Sequence, residues 1–247
     1  MKGRFLLSPS NKVAVERNIF ADKSSLVLEW ILLKGIEEDG FSLREVAQAT
    51  GVGLGSVHRV FESLVLKGYL HSSGIRTNKT FMIKNPSGLL SEWIGAYSLV
   101  KKCKIFSYST AFQNREQVMD ALVESGFEHK VALALHSSAE ALGCKNTNLQ
   151  QLELYLMQSN MRSKLEKALK LTAKERGYEV LLVEPYYKAM LNQHITIQGP
   201  AAKSHIQTSP PLLTFLDLYH FPLRGIEQAE FMAQRIPELK RIYKRGR

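Results

Sequence analysis

From residue 24 to residue 84, apolar positions recur at helical spacing three times and then switch to alternation. The stretch "KSSLVLEWILLKGIEEDG" places Leu26, Leu28, Trp30, Ile31 and Leu33 on a broad apolar face. It predicts a helix with Ser24 or Ser25 as its cap and Gly40 beyond its end. "SLREVAQAT" opens on Ser42 and Glu45 at capping-box spacing, which satisfies two amides that a helix start leaves unpaired. Val46 and Ala47 follow on the inward side. After "GVGLG", Val57, Val60, Phe61 and Leu64 stand at i, i+3, i+4 and i+7, one face of a third helix. "YLHSSGIRTNKTFMI" then alternates and turns, predicting strands at 69–72 and 80–83 with a tip at 73–79. "NPSG" punctuates the chain, and "LLSEWIGAYSLV" predicts a connecting helix.

Beyond residue 100 strands and helices alternate. "CKIFSYS", "VALAL", "LELYLM" and "YEVLLVE" read as strands, the last nearly all apolar and therefore central. "NREQVMDALVESG" reads as a helix with Asn114 as cap and Gly126 as stop, and "SSAEALG" and "MRSKLEKALKLTAKERG" as further helices. "HITIQG" and "SHIQTS" are shorter strand candidates. "PPLLTFLDLYH", "RGIEQAEFMAQRI" and "PELKRIYKR" read as closing helices.

The order helix, helix, turn, helix, hairpin is that of a winged helix-turn-helix. The expected class is α+β: residues 1–100 form a winged helix-turn-helix domain, with its core at 24–84 and the connecting helix at 88–99. Residues 101–247 form a mixed α/β domain.

Gly51, Gly53 and Gly55 first suggest a phosphate-cradling loop. Such a loop needs a buried strand before it, and here a capped helix leads in. The spacing is G-x-G-x-G, and no G-x-x-x-x-G-K-[ST] occurs anywhere. The helix-turn-helix reading explains more residues. Ala47 is the small residue where two helices meet, Gly51 supplies the left-handed turn, and Val46, Val52, Val57 and Val60 share the core.

With those buried, Gly53, Gly55, Ser56, His58, Arg59 and Glu62 face outward. Gly55 lets the backbone approach a phosphate, Arg59 suits guanine O6/N7 and Ser56 suits any base edge. His58 either donates to a phosphate or sits on the surface. Arg44, Arg76 and Lys79 are placed for flanking phosphates or the minor groove, or are solvated charges. A winged helix that meets only protein remains the alternative.

Composition agrees with a polyanionic partner. The 247 residues carry a formal net charge of +10, of which +3 falls in residues 1–100 and +7 in the remainder. Arg235, Lys240, Arg241, Lys244, Arg245 and Arg247 crowd the end against Glu238. They read as a solvated helix end, or as a phosphate-contacting extension. Two cysteines, Cys103 and Cys144, cannot build a disulfide framework or a four-ligand zinc site of the usual kind, and no metal or cofactor is expected. No apolar run reaches the roughly 18 residues a bilayer span needs, and no signal sequence opens the chain. A cytoplasmic protein without membrane contact is expected.

Hydrolase and metalloprotease motifs are absent, and Ser98 with Lys101 matches only a two-position pattern that arises by chance. The densest polar cluster is Asp217, Arg224, Glu227 and Glu230, across two successive helices. Arg224 is expected to pair with Asp217 across the junction and with Glu227 at i+3. The cluster is either a helix-corner ion network or a site for a partner or ligand.

The segment "LDLYHFPLRGIEQAE" resembles the C-terminal signature of the AbiEi-type antitoxins, transcriptional regulators of type IV toxin–antitoxin systems. "FSLREVAQATGVGLGSVHRVFESLVLKGYL" is similar to the winged helix-turn-helix at the start of that family. The resemblance covers both ends, while residues 100–205 match only in α/β character. It implies a regulator that binds inverted repeats of double-stranded DNA in its own promoter. It also implies a C-terminal domain that counteracts a nucleotidyltransferase-like toxin, directly or indirectly, without being an established enzyme. Asp217, Arg224 and Glu227 are then the candidate partner site. A nucleotide-binding or nucleotidyltransferase-like C-terminal enzyme, or a free-standing regulator, are the competing readings.

Overall fold

The computed structural model describes residues 18–75, 78–198 and 206–244. Arg76 and the terminal Arg245 and Arg247 lie outside the described residues.

The first helix, α1 (Asp22–Leu33), starts earlier than its serines suggest. Ala21 is the cap, and the Ser25 hydroxyl donates to the Asp22 carbonyl within the helix. Helix α2 (Leu43–Thr50) has the full capping box: the Glu45 amide donates to Ser42 Oγ, and the Ser42 amide to the Glu45 carboxylate. Replacing such a cap costs about 1 kcal/mol. Gly51 closes α2 in the left-handed region at φ 66°, and α3 (Leu54–Leu66) buries Val57, Val60, Phe61 and Leu64. A two-stranded antiparallel hairpin follows, β1 (Leu70–Ser73) and β2 (Thr80–Ile83), with Leu70 opposite Ile83. Phe41 and Phe81 exchange backbone hydrogen bonds at 2.9 and 2.8 Å, which stitches the α1–α2 link onto the hairpin. Phe41, Phe61 and Phe81 stack edge to face, at 5.8 and 4.7 Å between ring centroids. That geometry is worth about 0.5–1.5 kcal/mol per pair beyond burial.

Helix α4 (Pro86–Ala96), capped by Asn85, and the short α5 (Leu99–Lys102) lead into a mixed six-stranded sheet. Its strands are β3 (Lys104–Thr110), β4 (Val131–Leu133), β5 (Leu152–Leu156), β6 (Leu171–Ala173), β7 (Val180–Glu184) and β8 (Gln207–Thr208), in the order β6-β3-β7-β5-β4-β8. β5–β7 and β4–β8 are parallel and the other pairs antiparallel.

Alternation along the strands splits the core into two faces. Leu152, Leu154, Val180 and Leu182 pack with Val118 and Leu122 of α6 (Arg115–Glu124) and Leu165 of α8 (Arg162–Ala168). Tyr155, Leu181 and Val183 turn to the opposite face. They share a buried cluster with α7 (Leu135–Ala141), α10 (Pro211–Tyr219), α11 (Gly225–Arg235) and α12 (Pro237–Ile242). Burial of each such leucine or valine contributes roughly 1.5–3 kcal/mol. The same cluster continues without a break into α1, α3 and α4. The class is therefore α+β.

Two further expectations fail. "HITIQG" is not a strand: the helix α9 (Lys188–Gln198) runs through it. Its β-branched residues favour a strand locally, but packing against α1 overrides them, with Met190 and Leu191 buried and His194 against Glu29 at 2.9 Å. "MRSKLEKALKLTAKERG" is not one helix either. Lys170 takes φ 49°, stops α8, and frees residues 171–173 to pair with β3 as an edge strand. Of "SHIQTS", Ser204 and His205 lie outside the described residues, and Gln207 and Thr208 form a strand.

Candidate nucleic-acid interface and partner site

The turn between α2 and α3 places Gly51 where any other residue would be strained, and the capping box fixes the entry to α2. Val46, Val52, Val57 and Val60 are buried together, while Gly53, Gly55, His58, Arg59 and Glu62 are exposed and Ser56 is half-buried. One side of α3 is thus committed to the core and the other to the surface. Arg59 lies back along its own helix: Nε donates to the Gly55 carbonyl at 3.1 Å and Nη2 to Ser56 Oγ at 3.0 Å. His58 and Glu62 stand 3.5 Å apart one turn on. Arg44 is exposed on α2, and the exposed Lys79 lies over the Phe81 ring, 5.3 Å from its centroid, at the start of β2. The structure therefore brings Gly55, Ser56, His58 and Arg59 together on α3, with Arg44 and Lys79 on the neighbouring elements.

The second predicted cluster divides in two. Arg224 and Glu227 pair as expected, at 2.6 Å, on the exposed start of α11. Asp217 does not join them. It is fully buried on α10, where Tyr97 Oη donates to Oδ1 at 2.7 Å and Tyr155 Oη donates to Oδ2. Burial pushes its carboxyl up to about 7 against the pull of the two tyrosine hydrogen bonds. Cys103 Sγ lies 3.7 Å from Tyr97 Oη, and burial first, then the Asp217 charge, raises its thiol to about 12. Asp217 thus ties together the end of α4, strand β5 and α10.

The corner between α10 and α11 is tightly held. Leu223 and Arg224 both take positive φ, 62° and 65°. A Cβ on Gly225 would stand 2.3 Å from the Leu218 carbonyl oxygen, so only glycine fits there. His220 Nε2 donates to the Ile94 carbonyl at 2.9 Å and pins the corner to α4.

A further buried polar group went unread in the sequence. Glu153 on β5 is fully buried and accepts from the Ser137 amide at 3.0 Å, the Ser137 hydroxyl, and Tyr178 Oη at 3.1 Å. His136 Nδ1 lies 3.5 Å away. The alternation of "LELYL" is the signal that could have found it. Glu153 and Tyr155 share one face, and a strand buried on both faces must give a carboxylate partners. Among the described residues, no group of three His, Cys, Asp or Glu side chains is arranged to hold a metal ion. No helix among them is long and apolar enough to cross a membrane.

A family model described as "Transcriptional regulator, AbiEi antitoxin, Type IV TA system" matches residues 82–237. The match takes in the sheet, the buried Asp217 and the α10–α11 corner, and begins inside β2. No curated protein and no solved structure matches the chain. Because the match spans more than half of its residues, the chain belongs to the AbiEi antitoxin family of type IV toxin–antitoxin transcriptional regulators.

Proposed function

We propose that the protein is a DNA-binding, autorepressing antitoxin of a type IV toxin–antitoxin system, acting in the cytoplasm. In this reading α1, α2, α3 and the β1–β2 hairpin form a winged helix-turn-helix, and residues 1–100 and 101–247 divide the work as DNA reader and antitoxin. The observation that carries it is the left-handed Gly51 between α2 and α3, with α3 burying its valines and presenting Gly55, Ser56, His58 and Arg59 outward.

Helix α3 enters the major groove. The Gly55 backbone approaches a phosphate, Ser56 contacts a base edge and His58 a phosphate oxygen. Arg59 exchanges its two exposed bonds along the helix for a bidentate pair with guanine, worth about 1–3 kcal/mol of discrimination. Arg44, Arg76 and Lys79 contact flanking phosphates and hold the register. The toxin partner is a nucleotidyltransferase-like enzyme, opposed directly or indirectly by the C-terminal domain, with Arg224 and Glu227 at its exposed α10–α11 corner and Asp217 as that region's buried anchor.

A gel shift with the duplex upstream of its own gene tests the DNA half. Arg59→Ala relaxes sequence preference. Lys79→Ala weakens binding about uniformly and lowers the salt slope by about 1. Sequence preference unchanged by Arg59→Ala would remove α3 as the reading helix.

A further inference from the structure

We infer that the groove between α5 and the α10–α11 corner is a docking surface for an acidic, amphipathic segment of a partner protein. The groove encloses about 590 Å³, with Tyr97, Phe221 and Pro222 among its lining residues. Eight large apolar side chains are exposed among the described residues. Val100 and Ile226 line this groove, half exposed at 50% and 46%, and Leu223 stands on the corner beside it at 48%. Solvent-exposed apolar side chains gathered at one concave place mark a contact surface, whereas scattered ones do not.

The corner is also strained and rigid together. Two successive non-glycine residues in the left-handed region keep Leu223 and Arg224 at the surface. The close seat of Gly225 on Leu218 and the His220 bond to Ile94 hold that shape in place. Strain maintained by its surroundings is a feature of binding sites, and a preformed corner avoids the ordering cost of docking.

Charge selects the occupant. Lys101 and Lys102 lie on the lining and no carboxylate does. Lys102 is held at 5.7 Å against the ring of Tyr186, which is outside the lining, and this leaves Lys101 as the cation facing the groove. A second copy of a chain of net charge +10 would bring like charges together, whereas an acidic segment with leucine-like side chains complements both rim and floor. The inference deepens the partner half of the proposed function and rests on it only for the existence of such a partner.

The test uses the full chain and a fluorescein-labelled peptide of glutamates and leucines at helical spacing, read by anisotropy without DNA. Two control peptides carry serine for leucine or lysine for glutamate. The acidic amphipathic peptide is expected to bind at least 10-fold tighter than either control. Ile226→Glu, Val100→Glu and Lys101→Glu are each expected to weaken it at least 10-fold, and Leu66→Glu, on α3, to leave it unchanged. Val100→Glu covers the case in which Ile226→Glu fails to fold. Equal binding of the three peptides, or peptide binding unaffected by the groove variants, overturns the inference. So does a dimer in sedimentation that Val100→Glu dissociates, or displacement of the peptide by duplex DNA. A separate gel shift reports the DNA half, so either reading can fail while the other stands.

Discussion

Replacing Asp217 with asparagine removes an ionisable group from the middle of the protein while keeping its shape. The carboxyl is fully buried between Tyr97 and Tyr155, and burial lifts it from its ordinary 3.8 to about 7. The folded state therefore holds a proton that the unfolded chain releases. Stability from this group is complete at low pH, falls as pH rises through the unfolded value, and levels off above the folded one. A rise of about three units corresponds to about 4 kcal/mol at 1.36 kcal/mol per unit, and somewhat more than half of it falls between about pH 5 and pH 8. The asparagine amide cannot ionise, and it reproduces the hydrogen bonding of the protonated acid to the two tyrosines. Urea unfolding of Asp217→Asn and the native chain, followed by the fluorescence of the buried Trp93, measures the difference directly. Other titrating groups cancel in that difference. The expected result is near equality at acid pH, with the variant gaining roughly 2–3 kcal/mol relative to the native chain from about pH 5 to pH 8. A difference that stays constant across that range would refute the reasoning.

Three further outcomes follow from the geometry. The His194 imidazole is held above its ordinary value by its hydrogen bond to Glu29, so the stability it lends the α1–α9 contact is full below about pH 6.5 and is lost as pH rises through the raised value. His194→Gln is expected to abolish that part of the pH profile in the same urea titration, and an unchanged profile would contradict it. Gly225→Ala drives a Cβ to 2.3 Å from the Leu218 carbonyl, and thermal unfolding is expected to show a loss of about 2 kcal/mol or more. Gly51→Val places a branched side chain at φ 66°, costing about 1–3 kcal/mol even though the space beside it is open, which calorimetry would detect.

Local chemistry was legible in the sequence and tertiary chemistry was not. The capping box of Ser42 and Glu45, the turn at Gly51, the Asn114 cap and the Arg224–Glu227 pair all act within four or five residues, where spacing alone specifies the contact. Proximity along the chain puts Asp217 with Arg224. Its actual partners lie 120 and 62 residues away, and only the assembled core brings them together. Residues 194–199 read as a strand because Ile195, Thr196 and Ile197 favour one, yet the helix that began at Lys188 has α1 to pack against. The strand at 171–173 was hidden behind Lys170, whose positive φ no pattern of apolar residues announces. The exposed groove at Val100 and Ile226 was equally invisible, because its walls come from segments more than 100 residues apart.

The proposed reading of DNA by α3 is tested most directly by an anisotropy titration against the duplex upstream of its own gene. Tight binding is expected at about 50 mM salt, with log K falling linearly against log salt as counterions are released. A clear preference over a scrambled duplex is expected, which Arg59→Ala abolishes. Equal affinity for the upstream and scrambled duplexes, or no binding at low salt, would contradict it.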